Sequence, residues 1–185
     1  LETAFRALKK EHAELNDELE SLRSRQSNIP ARQIAIRDRL CAALKLDATA
    51  LPFVGELLQV RPDEALWTGA VERVLHSFAL SLLVSDADYA RVCAWVDEKD
   101  LKDRLVYFRV RDMADKNEYQ LHPDSLVHKL EIKDDPQWAS WLVRELSRRY
   151  DYACAETLEQ FQRERQALRP TGQDRKSTRL NSSHV

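Results

Sequence analysis

Several basic side chains in the second half of the chain have the chemistry to bind phosphate groups. Arginine and lysine neutralise phosphate charge and release condensed counterions when they meet a nucleic-acid backbone. A solvated protein surface is the default interpretation of such charges, so residue type alone does not choose between the two. The basic residues concerned are Arg104, Arg109, Arg111, Lys116, Lys129 and Lys133, followed by Arg144, Arg148 and Arg149.

The sequence lacks the residue groupings that catalysis and metal binding need. Its only glycines are Gly55, Gly69 and Gly172, too few and too far apart for a glycine-rich phosphate loop, and no G-x-x-x-x-G-K-[ST] motif occurs. No Cys-x-x-Cys or H-E-x-x-H motif occurs, and the five histidines lack metal-ligand spacing. We therefore predict no catalytic, cofactor-binding or metal-binding residue in this chain, and no enzyme activity of its own.

Four tryptophans could in principle stack on nucleic-acid bases. Each falls on an apolar helical face, which favours a role in the core or at a protein interface. These residues are Trp67, Trp95, Trp138 and Trp141.

The elements that would carry these residues begin with a heptad pattern. Its spacing of four and three residues predicts the a/d seam of a left-handed coiled coil over residues 1–28. We expect this arm to be part of a longer one, and the alternative is a short helical hairpin packed on its own domain. His12 is a polar seam position that either sets the helix register or is a tolerated defect. The seam consists of Leu1, Phe5, Leu8, His12, Leu15, Leu19, Leu22, Gln26 and Ile29.

A different organisation follows the arm. Pro30 ends the seam and suits the first turn of an elbow helix, which we place within residues 29–46. Residues 47–173 then alternate short apolar strands with amphipathic helices, which predicts an α/β domain with a small, mostly parallel sheet and flanking helices. The strands are predicted at 56–60, 79–84, 104–110 and 151–155, with a mixed strand or short helix at 125–132. Helices are predicted from 62 to 78, after 86, after 136 and over 156–168.

The last segment, DRKSTRLNSSHV at 174–185, has no apolar period. It resembles the translation of a sequencing-library adapter, so we expect natural sequence to end at Gln173 and exclude 174–185 from the fold as an artefactual or disordered tail.

The composition of the chain restricts the partners and the cellular location that we expect for the protein. The 185 residues carry 29 Lys and Arg against 31 Asp and Glu, which argues against a protein that coats DNA broadly. No apolar run approaches the roughly 20 residues of a membrane span, so we predict no membrane partner. The three cysteines, Cys41, Cys93 and Cys154, are odd in number and far apart, which indicates reduced thiols and a cytoplasmic location.

Three segments of the α/β region resemble the hinge of SMC-type ATPases. They are ELLQVRP at 56–62, WTGAVERVLHSFALSLLV at 67–84 and LKDRLVYFRV at 101–110. The segments SLVHKLEIK at 125–133 and RYDYACAETLEQF at 149–161 are similar, more narrowly, to the MukB-like, SbcC-annotated subunit of Wadjet-type plasmid-defence condensins. The motif RPTGQ at 169–173 resembles the start of the closing hinge segment, whose interruption would leave an unpaired sheet edge.

The resemblance implies a dimerisation hinge that joins two copies of a condensin-like, DNA-translocating or loop-extruding ATPase, and it implies that the parent protein acts in anti-plasmid defence. ATP and Mg²⁺ would bind only in the heads of the parent protein, which also implies accessory subunits and a nuclease subunit as partners. Hinges of this family contact DNA, so the resemblance assigns a nucleic-acid site to Arg109, Arg111, Lys116, Lys129 and Lys133. The alternative is an arm or tip fragment of an SbcC/Rad50-type DNA-repair ATPase, although the absence of a Cys-x-x-Cys zinc hook disfavours it.

Overall fold

A computed structural model describes residues 6, 9–13, 16, 29–99, 101, 104–111 and 119–176. Within these ranges the helices are α1 (Ala31–Leu44), α2 (Thr68–Ala79), α3 (Tyr89–Glu98), α4 (Ala139–Arg149) and α5 (Leu158–Arg163). The strands are β1 (Leu58–Val60), β2 (Leu82–Ser85), β3 (Tyr107–Val110), β4 (Leu130–Ile132), β5 (Ala153–Cys154), β6 (Ala167–Leu168) and β7 (Asp174–Arg175). Four 3-10 turns lie at Ala48–Ala50, Val54–Glu56, Pro62–Trp67 and Leu126–Lys129.

The chain divides into two compact units. The first comprises Leu1–Leu57 and Phe78–Arg109, and the second comprises Leu58–Ser77 and Val110–Val185. The boundaries given above for an arm, an elbow and one α/β domain stay predictions, because the division into units is a different partition of the same chain. The sequence pattern gave no sign of it, since both units draw on segments that are distant along the chain.

The core of the first unit is built around β2. Leu82, Leu83 and Val84 of this strand are fully buried. β2 lies between β3 and the segment at 52–54, where Phe53 forms an antiparallel bridge with Leu82. Helix α1 packs against α3, and its inner face is made by Ile36, Leu40 and Cys41.

Helix α1 begins and ends where the sequence predicts. Pro30 has an extended ψ of 137° and precedes the first helical residue, and its carbonyl accepts hydrogen bonds from the N–H groups of Gln33 and Ile34. At the other end, Lys45 takes the left-handed conformation and donates its N–H to the Cys41 carbonyl. The helix predicted within residues 29–46 is therefore found at Ala31–Leu44, and its role as an elbow stays a prediction.

The second unit contains two small sheets. β1 and β4 pair antiparallel, with Gln59 opposite Glu131, and α4 packs against β4. In the other sheet β5 pairs parallel with β6, and β6 pairs antiparallel with β7. The pairing thus differs from a mostly parallel sheet, because β1 finds its partner some 70 residues along the chain and β7 returns through a tight hairpin. The mixed α/β class with small sheets and flanking helices is confirmed.

Two further predictions, for residues 156–168 and for the tail, differ from the structure. Helix α5 stops at Arg163, because Glu164 is extended (ψ 144°), and Ala167 and Leu168 form β6 instead of the last helical turn. Leu168 is fully buried, so its apolar character serves a strand and not a helix. The first residues of the segment set aside as a tail are also ordered in the fold, since Asp174 and Arg175 form β7. Residues 177–185 lie outside the described residues.

Most of the predicted arm lies outside the described residues. Residues 9–13 are helical and exposed, and they include the polar seam position His12. Ile29 is the other seam position that the structure describes, and it is buried in the core of the first unit. The coiled-coil pairing of the arm stays a prediction.

Candidate interaction site

Arg109 and Arg111 lie at the end of β3, and both are exposed. The Arg109 guanidinium bonds the Asp86 carboxylate and lies 4.8 Å above the ring of Tyr89. Its charge is therefore already shared with an acidic neighbour and an aromatic face. Phosphate binding by Arg109 would have to compete with Asp86.

Lys129 occupies a more closed position. Its Nζ lies 2.8 Å from Glu64 Oε2 and 5.0 Å from the centre of the Trp67 ring. Only 15% of its side chain is exposed, so this ammonium is paired and largely removed from solvent. We infer that Lys129 has a structural role. Its contacts with Glu64 and Trp67 join the turn before β4 to the 3-10 turn at Pro62–Trp67.

The remaining predicted residues are spread apart or undescribed. Lys133 is half-buried and follows β4, whereas Lys129 precedes it. Four residues of extended chain place the two about 13 Å apart along the strand. Lys116 lies outside the described residues. Lys129 and Lys133 are thus separated along the chain of the second unit, and the binding of the five predicted residues to nucleic acid stays a prediction.

All four tryptophans are buried, and each has at most 8% of its surface exposed. They are Trp67, Trp95, Trp138 and Trp141. A ring in such a position has no free face on which a base could stack. Of the two predicted roles, in the core or at a protein interface, burial within the chain supports the core.

One buried ionic contact escaped the sequence analysis. Arg37 lies on the inner face of α1, with 2% of the residue exposed, and its Nη1 lies 2.6 Å from Glu56 Oε2. The guanidinium also lies 5.0 Å above the Phe53 ring. A charged residue between Ile36 and Leu40 reads in the sequence as an ordinary surface position. The signal that could have found it is its place three residues before Leu40 and four before Cys41, on the apolar face of α1.

Two of the cysteines, Cys41 and Cys154, have buried thiols. Burial raises the pKa of the Cys154 thiol to about 12, although the nearby Lys129 ammonium acts in the opposite direction. Burial also raises the pKa of Cys41. Such thiols stay protonated and are poor nucleophiles.

This pKa predicts a pH dependence of stability. A free thiol titrates near pH 8.5, so between that pH and about 12 the unfolded chain has lost a proton that native Cys154 still holds. Stability is then fully present below about pH 8.5 and falls as the pH rises, by at most about 1.4 kcal/mol per pH unit for this group. Urea unfolding at several pH values between about 8 and 10 measures the slope.

The matched control for that slope is Cys154→Ala, which removes the titrating group. Its stability should fall less steeply with pH than that of the parent chain. An equal slope in both proteins would show that Cys154 does not titrate differently in the native state.

No group of three or more His, Cys, Asp or Glu side chains in the described part of the chain is placed to hold a metal ion. Across the same residues, no helix combines the length and the apolar character that crossing a bilayer requires.

The sheet made of β5, β6 and β7 has β7 as an outer strand, and both β7 residues are exposed. It is reached through a hairpin turn in which the Gly172 N–H bonds the Arg169 carbonyl at 2.8 Å and the Arg169 N–H bonds the Gln173 carbonyl at 2.9 Å. Gly172 has a φ of +85°, as expected for a turn that ends in a left-handed glycine. An exposed outer strand can accept a further strand.

The hairpin gives a second stability prediction. A Cβ at Gly172 would have both an unfavourable φ and a distance of only 2.2 Å to Arg73 Nη1, so Gly172→Ala should lower the free energy of unfolding by about 1–3 kcal/mol. The matched control is Gly69→Ala in α2, where a Cβ meets nothing within 4 Å and should stabilise the helix by about 0.5–1 kcal/mol. Urea midpoints compare the two, and equal effects would contradict the turn geometry.

Large apolar side chains that remain exposed are concentrated in the second unit. Among the described residues they are Leu66 (71% exposed), Leu158 (52%), Val143 (48%) and Tyr119 (36%). Singly exposed apolar residues are common, but at 71% exposure Leu66 is a candidate contact for a partner surface.

Comparison with known proteins gives one structural neighbour. No protein-family model matches the chain, and no curated protein matches it. The chain is similar to the solved structure of a Pyrococcus furiosus Smc hinge domain with an extended coiled coil, at a TM-score of 0.51 and 15% sequence identity. The similarity covers 99% of this chain and 68% of that one. The chain therefore has a mixed α/β fold like that of an SMC hinge domain.

Proposed function

We propose that this chain is the hinge segment, with part of one arm, of an SMC-type ATPase, and that it holds two copies of its parent protein together. The observation that carries the proposal is the similarity over 99% of the chain to an Smc hinge domain with an extended coiled coil. The heptad seam at 1–29 supports it, because it places a coiled-coil arm directly before the hinge-like units.

One feature of the second unit supports association with a second copy. Leu66 offers a large apolar side chain to solvent. Symmetric association of identical surfaces is the commonest form of oligomer. Aromatic and aliphatic anchors surrounded by polar residues are the usual centre of such an interface.

Sedimentation of the full 185-residue chain over a concentration series tests the proposal. We expect a reversible monomer–dimer equilibrium. Leu66→Asp should shift it toward the monomer if Leu66 lies at the interface, and the matched control is Val143→Asp, also an exposed apolar position of the second unit. A folded chain that stays monomeric at every concentration would contradict dimerisation.

The wider role of the parent protein is proposed from the sequence resemblance. We place the hinge in a MukB-like, condensin-type ATPase whose heads bind ATP and Mg²⁺, with accessory and nuclease subunits and a role in plasmid defence. An SbcC/Rad50-type repair ATPase is the alternative. The complete gene distinguishes them, because a Cys-x-x-Cys zinc hook at the arm tip would indicate repair.

Contact between the hinge and DNA is a further part of this proposal. Charge reversal at Arg109, Arg111 and Lys116 should weaken DNA binding and reduce its salt dependence by about one unit of slope for each lost phosphate contact. The matched control is charge reversal at Arg91, whose side chain is half exposed and bonds Asp88. Unchanged affinity and slope in the triple variant would remove these residues from the DNA site.

A further inference from the structure

One side of the second unit carries an exposed leucine beside an open glycine. Leu66 lies in the 3-10 turn at Pro62–Trp67 and is 71% exposed. Gly69 follows three residues later in the first turn of α2, and a Cβ there would approach no neighbouring segment of the described chain within 4 Å. Trp67 and Ala70, which alternate with these two residues, are buried. Leu66 and Gly69 therefore lie on the same side, away from the core.

This side of the unit is apolar at its centre. Pro62 and Ala65 are also exposed, and together with Leu66 and Gly69 they have the spacing of one helical face. We call these four residues the 62–69 face. Its leucine is a protrusion, and its glycine, which has no side chain, forms a hollow about 5 Å further along the axis.

Charged side chains lie at both ends of the 62–69 face. At its beginning, Arg61 Nη2 lies 2.9 Å from Asp63 Oδ2, and the two side chains are 50% and 62% exposed. After its end, Glu72 and Arg73 are exposed on α2. Each end thus carries one acidic and one basic side chain. When two copies of the face meet antiparallel, the beginning of one lies over the end of the other, and opposite charges come within reach of each other.

We propose that the 62–69 face is a self-complementary contact with a second copy of this chain, in which Leu66 of each copy fills the hollow at Gly69 of the other. A two-fold axis that passes between these two positions forms both contacts at once, because an isologous interface uses the same surface on both partners. A second copy suits this face because it brings the leucine, the hollow and both signs of charge in matching order. This inference rests on the proposed function and names the surface through which the two copies meet.

Replacement of Gly69 by leucine distinguishes this contact from a non-specific apolar patch. The larger side chain has room in the free chain, and leucine is a better helix former than glycine, so the urea midpoint of Gly69→Leu should stay equal or rise. The leucine fills the hollow, however, so sedimentation equilibrium of the full chain should give a dimer dissociation constant raised by about tenfold or more. A non-specific apolar patch predicts the opposite, because an added leucine would tighten the association.

A swap of the two side chains tests whether they contact each other. Leu66→Ala removes the protrusion and should raise the dissociation constant by a similar factor. Leu66→Ala combined with Gly69→Leu again gives each face one leucine and one small residue, so its dissociation constant should return toward that of the parent chain. The control is Ser140→Leu, which adds a leucine at an exposed position of α4 and should leave the dissociation constant unchanged.

The possible contrary results separate this contact from dimerisation itself. If the parent chain dimerises and Gly69→Leu associates equally or more tightly, the contact through the 62–69 face is overturned and the proposed function stands. The same conclusion follows if the swap variant associates no better than the two single variants. A lower urea midpoint for Gly69→Leu would show that position 69 is not open, and it would overturn the hollow. A parent chain that stays monomeric would contradict both this contact and the proposed dimerisation.

Discussion

Replacement of Arg37 by methionine is expected to lower the free energy of unfolding by about 3–5 kcal/mol. The substitution removes one partner of a shielded ion pair and leaves the Glu56 carboxylate, 16% exposed, without its counter-charge. The favourable contact between the guanidinium and the Phe53 ring is lost as well. Urea unfolding followed by circular dichroism measures the loss.

The combination of Arg37→Met with Glu56→Gln separates the charge from the packing. With both charges gone, the unpaired carboxylate no longer exists, and the double variant should be more stable than Arg37→Met alone. The control is Arg39→Met, an exposed position on the same helix, with an expected effect within about 0.5 kcal/mol. If Arg37→Met matched this control, the ion pair would contribute nothing to the fold.

The second large effect is expected in the other unit. Trp138 is 1% exposed and immediately precedes α4, so Trp138→Ala should cost about 3–5 kcal/mol through lost burial and the cavity left behind. Trp138→Phe keeps most of the apolar volume and should cost less. Thermal and urea unfolding measure both variants.

Val143→Ala on the same helix provides the matched control. Its side chain is 48% exposed, and its truncation should change stability by no more than about 0.5 kcal/mol. A small effect of Trp138→Ala, comparable with that of Val143→Ala, would mean that the indole is not part of the core. In that event the assignment of all four tryptophans to packing would need to be revised.

The helices could be predicted largely from the chain itself. Pro30 and the apolar spacing of Ile36 and Leu40 place α1, and Pro62 with the 3.6-residue period up to Phe78 places the 3-10 turn and α2. These signals are local, since a helix satisfies its backbone hydrogen bonds within a few residues. The sequence predicts a mixed strand or short helix over 125–132, and the structure contains one of each. They are the 3-10 turn at Leu126–Lys129 and strand β4 at Leu130–Ile132.

The pairing of the strands could not be predicted in the same way. Strands of two to four residues carry too few side chains to specify a partner, and β1 joins β4 across some 70 residues. Leu168 shows the ambiguity at one position, because a single apolar residue fits the end of a helix and a buried strand equally well. Pairing with β5 decided for the strand.

The same difference between local signals and contacts of distant residues applies to the candidate site. The sequence by itself determined which side chains carry charge, that the arm has a heptad seam ending at Ile29, and that the α/β segments resemble an SMC hinge. Only the tertiary structure decided that Lys129 is paired with Glu64 and that Arg37 is buried against Glu56. The physical reason is that a charge acquires its role from its neighbours and its distance to water, and both are fixed by contacts between residues far apart in the chain.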